Sequence, residues 1–179
     1  SIILHSGNTV MGQGARKQAT QGNHNIVLGC YASCADNSQS HNIYMGMFAG
    51  KKNGLCGCTA LAGGNNIAIG CHAGCYGFGC YQNIAIGNAA GQCAKDCAGS
   101  NILMGQNAGR NVTCLGNVII GHSAGVSVTK GACNTIIGTF AGAAITAGNL
   151  NILIGAYTGR GITCGSHNVM MGRKIACTS

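Results

Sequence analysis

The chain has 179 residues, of which 46% are hydrophobic, 7% are charged, 32 are glycine and none is proline or tryptophan. This apolar content argues against a disordered chain, and no apolar run predicts a membrane span or a signal peptide. Ten Lys and Arg face only two Asp, which makes the net charge +8 and all but removes mechanisms that use paired carboxylates.

A five-residue motif recurs ten times along the chain: an Asn, a triplet rich in apolar residues, and a Gly. The copies begin at Asn8, Asn25, Asn42, Asn66, Asn83, Asn101, Asn117, Asn134, Asn151 and Asn168. Their spacings are 17, 17, 24, 17, 18, 16, 17, 17 and 17 residues. Only an extended loop near residues 51–64 shifts the repeat by more than one residue. We therefore predict a single repeat domain over 1–179.

The repeat predicts an all-β fold. The triplets are rich in β-branched residues and are bounded by Asn and Gly, which indicates a short strand followed by a turn. A period near 17 suits one coil of a parallel β-solenoid (a β-roll or β-helix) of about ten coils. Stacked coils would form a rod roughly 45 to 50 Å long. The Asn side chains are expected to bond their neighbours in a ladder, and the Gly to adopt a backbone conformation closed to other residues.

Strand alternation predicts which side of each triplet is buried. We expect the first and third residues, such as Ile67 and Ile69, to fill the core, so that the middle residue faces outward. The middle residues are Val10, Val27, Tyr44, Ala68, Ala85, Leu103, Ile119, Ile136, Leu153 and Met170. An exposed apolar stripe of this length predicts burial against other subunits, in a trimer or a dimer.

The NIAIGNAAG type of unit, which starts at Asn66 and Asn83, resembles the head repeats of YadA-like trimeric autotransporter adhesins. Similar N-I-x-I-G-x-x-A-G repeats occur in phage tail fibres and in surface fibres of large viruses. The resemblance extends from Asn8 to about Ala176. It implies a trimeric β-roll and a structural or adhesive role in a fibre.

Thirteen cysteines are too many for incidental core residues, and in an extracellular scaffold they suggest disulfides. Cysteines at equivalent phases of adjacent coils would lie about 4.8 Å apart, within the range for a bridge. The candidate bridges are Cys80 with Cys97, Cys75 with Cys93, Cys30 with Cys34, and Cys71 with Cys75, the last two as turn closures. Since Cys75 cannot serve two bridges and the total is odd, the pairing stays open.

Metal binding is the rival use of these cysteines. The crowded candidates are Cys56, Cys58, Cys71, His72, Cys75 and Cys80. Zinc sites usually combine two compact ligand pairs at a fixed separation, and this spacing fits only loosely. We therefore predict no metal and no cofactor, and keep a cysteine-rich metal-binding repeat as an alternative.

The enzymatic alternative is a trimeric acyltransferase of the left-handed β-helix kind. Those enzymes carry an aliphatic residue at every sixth position of coils about 18 residues long. Here the sixth residue after Ile86 is Gln92, so that pattern is not sustained. No nucleophile with an orienting third group is identifiable either. The chain is therefore predicted not to be an enzyme.

The predicted function is that of a rigid, disulfide-stapled shaft or head in a fibre, for attachment or surface display. Its expected location is extracellular, on a cell surface or on a virion. Expected partners are further copies of the chain, packed laterally and head to tail, and a host-surface glycan or receptor, but neither nucleic acid nor membrane. The predicted contact surface consists of Tyr31, Phe48, His72, Phe140, Tyr157, Lys17, Lys51, Arg110 and Arg160.

Overall fold

The computed structural model describes residues 7–17, 22–34, 40–51, 64–76, 81–94 and 99–177. Its regular elements are β1 (Thr9–Met11), β2 (Ile26–Leu28), β3 (Ile43–Met45), β4 (Ile67–Ile69), β5 (Ile84–Ile86), β6 (Ile102–Met104), β7 (Val118–Ile120), β8 (Thr135–Ile137), β9 (Ile152–Ile154) and β10 (Val169–Met171). They form one sheet in sequence order, and every pair is parallel. The chain is thus an all-β parallel β-solenoid with a period near 17 residues, and its described part contains no helix.

Strand register follows the motif throughout the sheet. Ile67 pairs with Ile84 and Ala68 with Ala85, as the alignment of the motifs requires. The 24-residue spacing leaves this register intact, because Ile43 still pairs with Ile67. The additional residues are therefore accommodated between β3 and β4 without displacing a strand. Residues 52–63, most of the predicted extended loop, lie outside the described part of the chain.

The assignment of inner and outer strand positions was wrong, because the middle residue of the triplet faces the core. From β2 to β9 these middle residues are at most 1% exposed. Ile67 and Ile69, predicted to be buried, are partly exposed on the other side. The reason is the alternation itself: Asn66, two residues before Ala68, must point to the same side. Both residues are 0% exposed, since the Asn amides bond one another inside the solenoid.

Two more rows of small and branched side chains complete the core. The seventh residue after each Asn is usually Ala, and the row includes the buried residues Ala49, Ala73, Ala90, Ala108, Ala124 and Ala141. The chain crosses the core again at the eleventh residue after the Asn. The buried residues of this row are Ala94, Val112, Val128 and Ile145. The core is therefore only three residue rows wide. Small and branched side chains fill this narrow space, so few aromatic residues are needed.

Candidate functional site

A continuous hydrogen-bonded ladder of Asn side chains supports the surfaces of the solenoid. The backbone N–H and the Nδ2 amide of Asn134 both donate to Oδ1 of Asn117, each at 3.0 Å. The same pattern joins Asn117 to Asn101 and Asn151 to Asn134. Because each amide bonds the adjacent coil, the ladder holds neighbouring strands in one register.

The outer sheet face is an apolar surface that extends over all ten strands. It consists of the first and third residues of every strand: Thr9, Met11, Ile26, Leu28, Ile43, Met45, Ile67, Ile69, Ile84, Ile86, Ile102, Met104, Val118, Ile120, Thr135, Ile137, Ile152, Ile154, Val169 and Met171. Eighteen of these twenty residues are apolar and none is charged. Even in the interior of the sheet, Ile26 is 40% and Met104 37% exposed. This surface is two rows wide, whereas the sequence predicted a stripe of one row.

Aromatic side chains form two stacks beside the sheet, at the sixth residue after the ladder Asn. In the first, the ring centroids of Tyr31 and Phe48 are 5.7 Å apart and those of Phe48 and His72 5.0 Å. In the second, Phe140 and Tyr157 stack at 5.5 Å, and His122 meets Phe140 edge to face at 5.1 Å. The rings cover one another's faces, and the described rings at the sixth position are all half-buried.

Cationic side chains line the same side of the solenoid at the ninth residue after the ladder Asn. Nζ of Lys51 lies 4.6 Å from the ring centroid of Phe48, and Cζ of Arg160 lies 5.7 Å from that of Tyr157. We call the whole predicted contact surface the aromatic ridge: Tyr31, Phe48, His72, Phe140, Tyr157, Lys17, Lys51, Arg110 and Arg160. The structure brings seven of these residues into two groups: Tyr31, Phe48, His72 and Lys51 in the first, and Phe140, Tyr157 and Arg160 in the second. Sequence reasoning missed His122, which lies one position before the row.

The cysteines with described positions are all free thiols: Cys30, Cys34, Cys71, Cys75, Cys93, Cys114, Cys133, Cys164 and Cys177. The predicted bridges of Cys30 with Cys34, Cys71 with Cys75, and Cys75 with Cys93 are therefore absent. Cys80 and Cys97 lie outside the described residues.

Register explains why Cys75 and Cys93 are not matched. The N–H of Tyr76 donates to the carbonyl of Gln92 at 2.8 Å, which aligns Tyr76, and not Cys75, with Cys93. Counting back from the next Asn had suggested equivalence, but the coil that contains Cys93 is one residue longer. Cys71 and Cys75 differ in environment, since Cys75 is fully buried and Cys71 is not.

No group of His, Cys, Asp or Glu within the described ranges is arranged to hold a metal ion. Of the residues considered for a metal site, Cys56, Cys58 and Cys80 lie outside those ranges. Likewise, the described segments include no helix that is long and apolar enough to cross a bilayer.

Cys75 is expected to be the slowest of the described thiols to react with iodoacetamide in the folded protein. Burial raises the pKa of the Cys75 thiol to about 11, although the nearby Lys51 opposes the shift. At pH 8 roughly one Cys75 thiol in a thousand is then ionised, and only the thiolate reacts. Mass spectrometry of a labelling time course should show Cys133 and Cys164, which are exposed, modified first. Equal rates in the folded and the urea-unfolded chain would contradict this burial.

No known protein family matches this chain, and no curated protein or solved structure is significantly similar to it.

Proposed function

We propose that this chain is a structural module of a surface fibre and that three copies pack side by side through the outer sheet face. The observation that carries the proposal is the size and composition of that face. Ten strands at about 4.8 Å spacing, each three residues long, make an apolar strip about 43 Å by 10 Å. Monomers rarely expose contiguous apolar patches larger than a few hundred Å², and patches of this size or above often mark sites of association.

The direction of the strip favours closed lateral assembly. The strip runs along the solenoid axis, so copies can pack in parallel around a common axis and cover all strips at once. A trimer is the number implied by the resemblance to trimeric adhesin head repeats, and a dimer is the alternative closed arrangement that the sequence left open. Packing of unbranched apolar side chains such as Met104 also tolerates small differences in fit between copies.

The proposed role is mechanical and not catalytic. Each described coil is tied to the next by backbone hydrogen bonds, by the Asn ladder and by core contacts, which suits a stiff, protease-resistant shaft or head. Such a module would display its turns to a host surface or to a neighbouring particle, from an extracellular, cell-surface or virion-surface location. An acyltransferase-like trimer is the competing class; hydrolysis or transfer of an acyl thioester by the purified trimer would favour it over the fibre.

The test places charge in the interface. We expect the wild-type chain to sediment as a trimer at micromolar concentration, and the double variant Ile102→Lys/Ile120→Lys to associate about 100-fold more weakly or not at all. Both side chains point away from the core, so folding should survive. Unpaired charges buried in an interface cost several kcal/mol, enough for this loss.

The matched control is Gln106→Lys/Thr139→Lys, which adds the same charge at exposed residues off the outer sheet face. It should remain trimeric, and both doubles should keep the wild-type circular dichroism spectrum. A wild-type chain that stays monomeric would refute lateral assembly. Unchanged association of the Ile102→Lys/Ile120→Lys double would move the interface to another surface.

A further inference from the structure

The cations of the aromatic ridge have no anionic partner within the described structure. Lys17, Lys51, Arg110 and Arg160 each stand nine residues after a ladder Asn, and so occupy one line along the solenoid. The chain has only two acidic residues, Asp36 and Asp96, and neither belongs to the described segments. At most two of the chain's ten cations could therefore be neutralised internally. Positive charge that is aligned and unneutralised attracts an external polyanion.

The spacing of these charges is regular. They lie in the coils that contain β1, β3, β6 and β9. With about 4.8 Å for each coil, successive cations are separated by roughly 10, 14 and 14 Å along the axis, over a total of about 38 Å. A partner that contacts all four must be an extended chain with sparse, repeated negative charges.

Three of the four cations are oriented by neighbouring side chains. Nε of Arg110 donates to Oε1 of Gln92 at 3.0 Å. Lys51 and Arg160 lie over aromatic rings, which attract them electrostatically and restrict their motion. Such ordering lowers the entropy that binding would otherwise cost.

We propose that the aromatic ridge binds an acidic polysaccharide laid along the solenoid axis. The proposal names a ligand class for the fibre module, and it rests on the proposed function, which makes this ridge the outer surface of the assembly. Carboxylate or sulfate groups on the sugar chain would accept hydrogen bonds from the guanidinium and ammonium groups. The half-buried edges of the ring stacks would contact the sugar rings between them.

Two observations favour a polysaccharide over a nucleic acid. Single-stranded nucleic acids bind by stacking bases on free aromatic faces. Here Phe48 is covered by Tyr31 on one side and His72 on the other, so its faces are not free. Duplex DNA carries about one negative charge per 1.7 Å, or roughly 22 over the ridge, whereas the ridge offers four cations.

The test compares two double variants of equal charge in the full chain. Arg110→Gln/Arg160→Gln removes two ridge cations, and Lys130→Gln/Arg173→Gln removes two exposed cations elsewhere. The probes are heparin as a sulfated polysaccharide, a polyuronate, and a DNA duplex of similar length, measured by biolayer interferometry. We expect the wild type to bind at least one polysaccharide more tightly than DNA. The ridge variant should lose about 10-fold in affinity and the control less than about threefold, consistent with two modest exposed charge contacts.

Several outcomes would overturn the proposal. Equal losses in the two variants would mean nonspecific attraction to net charge. Tighter binding of DNA would make the ridge a nucleic-acid interface, and no binding by the wild type at low salt would remove the site. Sedimentation of the same samples separates this inference from the fibre proposal: a trimer without polysaccharide affinity leaves the fibre intact, whereas a monomer refutes the fibre irrespective of binding.

Discussion

Gly121→Ala is expected to destabilise the solenoid by about 3 kcal/mol or more, because two independent costs fall on one methyl group. Gly121 has φ of 134°, a conformation that residues with a side chain rarely adopt. A Cβ placed there would also lie 2.6 Å from the carbonyl oxygen of Gly138 in the next coil. No side-chain rotation can relieve this contact, because the backbone fixes the position of the Cβ and the carbonyl oxygen is itself a backbone atom. The coils would have to separate locally, which would break the hydrogen bond from Gly138 N–H to the Ile120 carbonyl.

The variant Gly172→Ala separates the effect of the backbone conformation from the effect of the contact with the next coil. Gly172 has nearly the same φ, 132°, but no described coil follows it, and its nearest contact would be Ile175 at 3.4 Å. The loss in free energy of unfolding should therefore come only from the backbone conformation and amount to about 1 to 3 kcal/mol. Urea unfolding followed by circular dichroism, with hydrogen exchange at β6 to β8, measures both. If Gly121→Ala were no less stable than Gly172→Ala, contact between stacked glycines would not limit the repeat.

The sequence was sufficient for the fold because the motif carries its own register. Asn, three strand residues and Gly recur at nearly constant spacing, so the strand positions and their parallel order follow once one coil is placed. The 24-residue spacing could have interrupted the sheet. It does not, because Asn66 N–H bonds Oδ1 of Asn42 at 2.8 Å and restores the ladder directly.

The inner and outer sides of the strand could not be inferred from hydrophobicity, because all three triplet positions are apolar in nearly every coil. Ile67, Ala68 and Ile69 look alike on a hydrophobic scale. The deciding signal was Asn66: a residue predicted to bond its equivalents must be shielded from water, and alternation then buries Ala68 with it. The same alternation places the first and third residues of each strand on the outer face. The apolar surface is therefore wider than predicted, which strengthens the expectation of lateral association.

The third core row and the free thiols were missed for different reasons. The third row includes Val112, Val128 and Ile145, which lie in segments without a fixed motif. Their distance from the preceding Asn is constant, but it is hard to recognise because the coils differ in length. Cys75 and Cys93 were aligned by counting toward the following Asn, although the hydrogen bond from Tyr76 to Gln92 keeps the register of the preceding one. The common position of the aromatic residues in the coil follows from their spacing, but their stacking depends on side-chain directions that spacing alone does not show.

Asn117→Ala should be among the most damaging changes to the ladder, with a loss of about 3 to 5 kcal/mol. Oδ1 of Asn117 accepts hydrogen bonds from the N–H and the Nδ2 amide of Asn134, and its own Nδ2 donates to the Gly131 carbonyl at 2.9 Å. Removing the amide leaves the Asn134 backbone N–H buried without this acceptor and leaves Nδ2 of Asn134 with only the Gly148 carbonyl. The Gly131 carbonyl also loses its donor, and each lost partner costs about 1 to 3 kcal/mol. Chemical unfolding at neutral pH measures the loss.

The variant Asn117→Asp introduces a charge into the ladder without creating a cavity, because the Asp and Asn side chains have nearly the same shape. Its Oδ1 could still accept from Asn134, but its second oxygen would face Oδ1 of Asn101 and the Gly131 carbonyl, which are both acceptors. Burial and these oxygens disfavour the carboxylate, so the folded-state pKa of the new Asp should lie above the unfolded value of about 3.9. Protons are then bound more tightly by the folded state. The variant should be most stable below the unfolded pKa and should lose stability as pH rises through the folded pKa.

Measurements of stability over a range of pH therefore distinguish ladder amides that are shielded from water and hydrogen-bonded to one another from an Asn that is only well packed. Asn117→Asp should approach the wild-type free energy of unfolding at pH 4 and fall clearly below it at pH 7, whereas Asn88→Asp, at an exposed position, should show no such difference. Because the wild-type ladder contains only neutral amides, its own hydrogen bonds give no pH trend that could mimic this result. A pH profile for Asn117→Asp parallel to that of Asn88→Asp would show that the ladder amides are not shielded from water. The buried position of the middle strand residues would then need another cause.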